Sequence, residues 1–148
     1  ALATALFPTI VRTKNLILNQ KVKLIGFMLS LLLWAFTYWQ AYFLMEVLGG
    51  SELASYGALL QKLSVLIPVV VITYLLGANT LVAFGLQNHY NISFIIPSIL
   101  YILLLSYWWL LEGLTFEKIV LARILVDVFL ALYRLIIATK YRLIFISK

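Results

Sequence analysis

The chain has 148 residues, 65% of them hydrophobic and 11% charged, with a formal net charge of +6. Soluble domains are nearer half apolar and a quarter charged, so this balance excludes a soluble globular domain and describes an all-α integral membrane protein. The positive excess reads as membrane orientation rather than nucleic-acid binding, and no nucleic-acid partner is expected. Cysteine is absent and His89 is the single histidine, so neither a disulfide framework nor a metal or cofactor site is expected.

Residues 1–23 read as the end of a preceding helix and a basic cytoplasmic connection. The apolar run from Ala1 to Phe7 stops at Pro8. No basic-then-apolar signal-peptide order is present, so these residues are expected to continue a longer protein. Arg12, Lys14, Lys21 and Lys23 follow, and Ile10, Val11, Leu16, Ile17 and Leu18 are expected to lie along the membrane surface.

The first predicted span covers residues 24–44 and is rich in aromatics, among them Trp34, Tyr38, Trp39 and Tyr42. Glu46 and Gly49-Gly50-Ser51 end it. The stretch 52–90 is expected to organise the chain. Its span, 55–84, has no charge from Leu63 to Phe84, enough to cross a bilayer, which takes ~20 apolar residues. At 100° per residue Ser55, Lys62, Val69, Thr73 and Thr80 share a face. Such a polar stripe must meet protein or water rather than lipid.

A short loop at 87–91 leads to a third span at 92–111, whose Tyr107-Trp108-Trp109 cluster fits an interfacial belt. The fourth, 115–137, carries Arg123 and Asp127, and residues 138–148 form a basic tail. Four antiparallel spans gather the basic ends on one side and Glu46, Glu52, Glu112 and Glu117 on the other. The positive-inside rule then places both ends in the cytoplasm.

Lys62 is a candidate cation for a cavity holding an anionic substrate, with Thr73 and Thr80 continuing its face. The alternative is a lysine snorkelling to the surface. Arg123 and Asp127, spaced i, i+4, suit a helical ion pair; a proton- or cation-coupling site is the other reading. Arg134 and Tyr141 continue that face. Pro68 and Pro97 are candidate hinges, because each removes a backbone donor. Aromatics of the first span offer surfaces for sugar rings, or for lipid and neighbouring helices. Asn91-Ile92-Ser93 matches a glycosylation sequon but abuts a span on the predicted inner side. No nucleophile–base set or phosphate loop is visible, and an enzyme is not expected.

Two patches carry a family resemblance. Ala5-Leu6-Phe7-Pro8-Thr9-Ile10 stands after an apolar run and before a basic stretch. Leu75-Leu76-Gly77-Ala78-Asn79-Thr80-Leu81-Val82-Ala83-Phe84-Gly85, followed by Gln87-Asn88-His89-Tyr90, closes the second span. Both resemble helix ends of polysaccharide flippases of the Wzx type, in the multidrug/oligosaccharide-lipid/polysaccharide (MOP) exporter superfamily. The loop from Leu48 to Ser55 lacks the aromatic often found after its glycine in that family.

The resemblance implies a C-terminal part of such a protein: about four transmembrane helices within a larger helical transporter bundle of the bacterial inner membrane. It implies transport of undecaprenyl-pyrophosphate-linked oligosaccharide by alternating access for O-antigen or polysaccharide biosynthesis. Its partners would be that lipid-linked oligosaccharide, membrane lipids and the missing N-terminal helices of the same protein. Lys62 and Arg123 are the cations available to an anionic pyrophosphate, and neither lies in a matched patch. Three other readings stay open. One is a cation-coupled multidrug-type antiporter using Asp127. Another is a membrane-embedded enzyme on lipid-linked sugars, and the last is a small structural or assembly four-helix protein.

Overall fold

The computed structural model describes residues 2–143, with side chains from Pro8 onward, and these form helices and turns with no strand. The helices are α1 (Leu2–Thr13), α2 (Leu16–Trp39), α3 (Ala41–Ala54), α4 (Gly57–Ser64), α5 (Leu66–Leu76), α6 (Gln87–Leu111) and α7 (Phe116–Lys140), with a π-helical turn at Gly77–Val82 between α5 and α6. Three stretches are long and apolar enough to cross a membrane: Leu16–Trp39, Gly57–Val82 and Gln87–Leu111. The chain is therefore an all-α membrane protein. The fourth expected span is α7. It matches α6 at 25 residues, but Glu117, Lys118, Arg123, Asp127, Arg134 and Lys140 hold its apolarity below that of the other three.

Contacts define how the helices run. Asn19 meets Thr80, Gly26 abuts Leu75, and Gln61 reaches the Tyr38 carbonyl, so α2 is antiparallel to α4–α5. Arg134 meets Ser93 while Lys118 pairs with Glu112, so α7 is antiparallel to α6. Lys62 pairs with Glu117 and Arg134 reaches Thr73, which sets α7 parallel to α4–α5. The α4–α5 stretch thus lies between α2 and α7. Of the most apolar 18-residue window of Gly57–Val82, 39% of the residues are buried, against 17% for α2 and 6% for α6, and so this stretch occupies the centre that the sequence suggested for it.

Several boundaries differ from expectation. Helix α1 does not stop at Pro8 but runs through it to Thr13, since an internal proline forfeits a single i→i−4 bond. The connection shrinks to Lys14, at φ +52°, and Asn15, whose Oδ1 accepts from the Leu18 N–H at 3.0 Å and caps α2. Leu16, Ile17 and Leu18 are consequently the first turn of the span, not a surface segment, and Ile10 is fully buried. The expected end at 44 is also passed. Gln40 interrupts the helix only locally, its N–H still bonding the Phe36 carbonyl at 2.9 Å, and the real break falls at Gly49 and at Gly50, with φ +72°.

The 55–84 span is divided twice, after Ser64 and at the π turn. The following turn sits at residues 83–86, with Gly85 at φ +82°, so residues 87–91 open α6 instead of forming a loop. Of the expected tail, residues 138–140 finish α7, and Leu143 packs against Leu76 and Ala138. Residues 144–148, with Lys148, lie outside the described residues.

The two prolines act differently. Pro68 has no N–H for the Ser64 carbonyl four residues earlier, and α4 ends at Ser64. Pro97 lies within an unbroken α6. Each has a buried serine at i−4 whose hydroxyl turns back to the carbonyl three residues earlier. Ser64 donates to Gln61 at 2.7 Å and Ser93 to Tyr90 at 2.6 Å.

Candidate functional site

Two polar assemblies stand inside this apolar fold. The first surrounds the π turn. Its widened ladder runs from the Ala83 N–H to the Ala78 carbonyl at 3.2 Å, and from Leu86 to Leu81 at 2.8 Å. Such turns often mark functional sites. Thr80 Oγ1 donates to the Leu75 carbonyl at 2.9 Å and accepts from Asn19 Nδ2 at 3.2 Å. Asn19, Asn79 and Thr80 are wholly buried. Lys14 Nζ bonds the Ala83 carbonyl and sits 5.6 Å from the Phe84 ring centre, closing the turn from the α1 side.

Arg134 comes into this assembly from α7 and is 2% exposed. Its Nε donates to Ser93 Oγ at 2.8 Å and its Nη1 to the Thr73 carbonyl at 2.6 Å. The guanidinium lies 4.8 Å from the Tyr90 ring centre and 4.5 Å from that of Phe94, which suits a desolvated cation. Among the described residues no carboxylate pairs with it and its Nη2 has no hydrogen-bond partner. Only a glycine fits beside it. A Cβ on Gly77 would stand 2.3 Å from Nη1 and 3.0 Å from the Tyr90 ring.

The second assembly is a groove of about 340 Å³ between α6 and α7, near the middle of both. Arg123 Nε donates to Asp127 Oδ2 at 2.7 Å. The carboxylate side chain is 8% exposed and the guanidinium side chain 56%. A guanidinium carries five N–H donors, so this bond engages one of them. Pro97, Ser98 and Tyr101 form the facing wall. A charged, partly open groove at mid-span is costly against lipid, and marks surface that faces protein or a water-filled cavity.

The predicted residues do not converge. Lys62 is exposed at the acidic end, bonded to Glu117 at 3.1 Å. It lies beside a different groove, formed with Thr115, Lys118 and Leu121. Arg123 faces α6 rather than α4, so Lys62 and Arg123 do not share a cavity. Ser55 at the head of the predicted stripe is exposed, whereas Thr73 and Thr80 are buried at the π turn. Asp127 does pair with Arg123. Ser93, of the sequon, is buried under Arg134.

Arg134 is the residue whose importance the sequence reading missed. Its signal was present, for it stands seven residues after Asp127 on a shared face. His89 bridges α6 and the end of α7, with Nδ1 3.4 Å from the Tyr133 hydroxyl and Nε2 3.3 Å from that of Tyr141. Among the described residues no three His, Asp or Glu side chains gather to hold a metal.

No family model, no curated protein and no solved structure matches the chain. Its class, an all-α membrane protein, rests on the helices themselves.

Proposed function

We propose that this chain is part of a polysaccharide flippase of the Wzx type, moving undecaprenyl-pyrophosphate-linked oligosaccharide across the bacterial inner membrane by alternating access. The observation that carries the reading is the mid-span groove, with Arg123 open beside Tyr101 and Ser98. Transport sites in helical bundles lie near the bilayer midplane. A pyrophosphate crossing that region needs a cation with donors to spare, because an unpaired anion there is strongly penalised. Tyr101 offers a ring face to a sugar, and further helices of the same protein would cover the groove. Residues 75–83 of the second patch lie mostly buried at the centre of the fold. In this reading the end bearing Arg12, Lys14, Lys21, Lys23, Lys140 and Arg142 is cytoplasmic.

The Arg123–Asp127 bond also bears on the antiporter alternative, in which Asp127 exchanges protons or cations and must leave Arg123 during the cycle. One experiment separates the two. The full-length protein is reconstituted into liposomes with a fluorescent undecaprenyl-pyrophosphate oligosaccharide, and appearance of the label in the opposite leaflet is followed. Flipping above protein-free liposomes, lost in Arg123→Ala and kept in Asp127→Asn, is the expected result. Absence of flipping by the unmodified protein sinks the flippase reading.

A further inference from the structure

A third groove, of about 410 Å³, lies where α2, α5 and α7 meet at the basic end. Its walls are Leu24, Phe27, Ile72, Leu75, Leu76 and Leu135, and among the described residues its polar lining is Gln20 and Lys23. Both polar residues are at one end, one helical turn apart on α2. From Gln20 to Phe27 the groove descends about 10 Å along the helix, at 1.5 Å per residue. Gly26 lies at the contact of α2 with α5, where a Cβ would come within 2.8 Å of Leu75 Cδ1.

The charge around the polar end has one sign. Arg12, Lys14, Lys21, Lys23, Lys140 and Arg142 gather there, while the five acidic residues of the chain are Glu46, Glu52, Glu112, Glu117 and Asp127, at the opposite end or at mid-span. Lys23 is held at the mouth, since its Nζ donates to the Leu143 carbonyl at 3.0 Å. An ammonium has three N–H donors, so this bond fixes the cation and leaves donors for an anion. An apolar slot running into the bilayer below a fixed ammonium matches the two parts of a phospholipid with a negatively charged head.

We propose that this groove is a binding site for an anionic phospholipid of the adjoining leaflet, with an acyl chain along Leu24, Phe27, Ile72 and Leu75 and the phosphate at Lys23. The site depends on the membrane fold and not on the transport reading. Diffuse attraction of a basic surface for an anionic leaflet would treat all six cations alike. A built site singles out Lys23 and also responds to a change in the apolar wall.

The test is native mass spectrometry of the full-length protein in detergent, titrated with phosphatidylglycerol or with phosphatidylcholine of the same acyl chains. The expected result is preferential retention of phosphatidylglycerol, weakened about fivefold by Lys23→Gln, the effect of one basic residue near an anionic head. Lys21→Gln, an exposed charge outside the groove, should change retention less than twofold. Leu24→Trp, at a rim position 59% exposed, should weaken both lipids by narrowing the slot, with helicity by circular dichroism unchanged. Equal retention of the two lipids overturns the proposal. So does an equal loss in Lys21→Gln and Lys23→Gln, or complete displacement of the lipid by millimolar inorganic phosphate.

Discussion

Arg134 and Thr73 stand 61 positions apart, yet the guanidinium Nη1 donates to the Thr73 carbonyl at 2.6 Å. That carbonyl also accepts the Gly77 N–H at the end of α5. One oxygen therefore joins α7 to the helix terminus from which the π turn begins, and the same side chain reaches α6 through Ser93.

Removing this side chain should loosen three elements together. Arg134→Ala loses two hydrogen bonds from a charged donor, roughly 1.5–3 kcal/mol each, offset in part by relief of the buried charge. Ser93 and Thr73 keep other partners, so no orphaned acceptor adds to the cost. A net loss of about 2 kcal/mol is expected in denaturant unfolding of the protein in mixed micelles. Arg134→Lys should recover less than half, because an ammonium lacks the planar fork that reaches both acceptors. Full stability in Arg134→Ala would refute the structural role.

Gly77→Ala places a methyl against Nη1, an atom pinned by Thr73 and by two rings. Overpacking of this kind costs ~1–3 kcal/mol. In the Arg134→Ala background the guanidinium obstruction is gone and only the 3.0 Å approach to the Tyr90 ring remains, so the same change should cost markedly less. A double-mutant cycle in the unfolding assay measures this, and additive effects would contradict the close approach.

Lys62→Ala should shift unfolding by less than about 1 kcal/mol, since both partners of the Lys62–Glu117 pair are exposed. The flippase reading adds that transport survives this change, because Lys62 is outside the mid-span groove. A transport loss without a stability loss would return Lys62 to the substrate path.

On the flippase reading, Arg123→Ala should lower flipping at least about tenfold, the worth of one charge-assisted bond of roughly 1.5–3 kcal/mol to the phosphate. Asp127→Asn keeps the shape and frees the guanidinium, so flipping should persist. Abolition of transport by Asp127→Asn, with the fold intact, would favour the coupled antiporter.

Pro68→Ala supplies the N–H that the Ser64 carbonyl lacks. Hydrogen exchange at residues 64–68 should slow as α4 and α5 join. If the junction works as a hinge, flipping should slow with it. Pro97→Ala should change exchange less, since α6 is already continuous around Pro97. Equal responses would mean that the break after Ser64 has another cause.

Much of the fold was legible because a bilayer leaves few choices. Leu63 to Phe84 without a charge is a span on length alone, and its polar residues had to turn inward. Short connections then imposed antiparallel neighbours. The helix ends were less legible. Leu16, Ile17 and Leu18 read as part of a basic connection along the membrane surface because Lys21 and Lys23 hide the continuity of α2. That continuity depends on Asn15 capping the helix and on Asn19 finding Thr80. The candidate site was only partly visible. Helical spacing paired Arg123 with Asp127, but the same spacing grouped Lys62 with Thr73 and Thr80, and the break at Pro68 separates their surroundings.

The sequence by itself determined the solvent, the helical class and the central place of the second span, because hydrophobic length and backbone satisfaction in lipid are properties of local composition. Only the tertiary structure decided which cation is buried. Arg123, Arg134 and Lys62 are alike along the chain. Their environments differ because Gly77 admits a guanidinium between α5 and α6, Pro97 and Tyr101 leave a groove beside Arg123, and Glu117 holds Lys62 at the surface. Those distinctions arise from contacts across tens of residues, which no local pattern encodes.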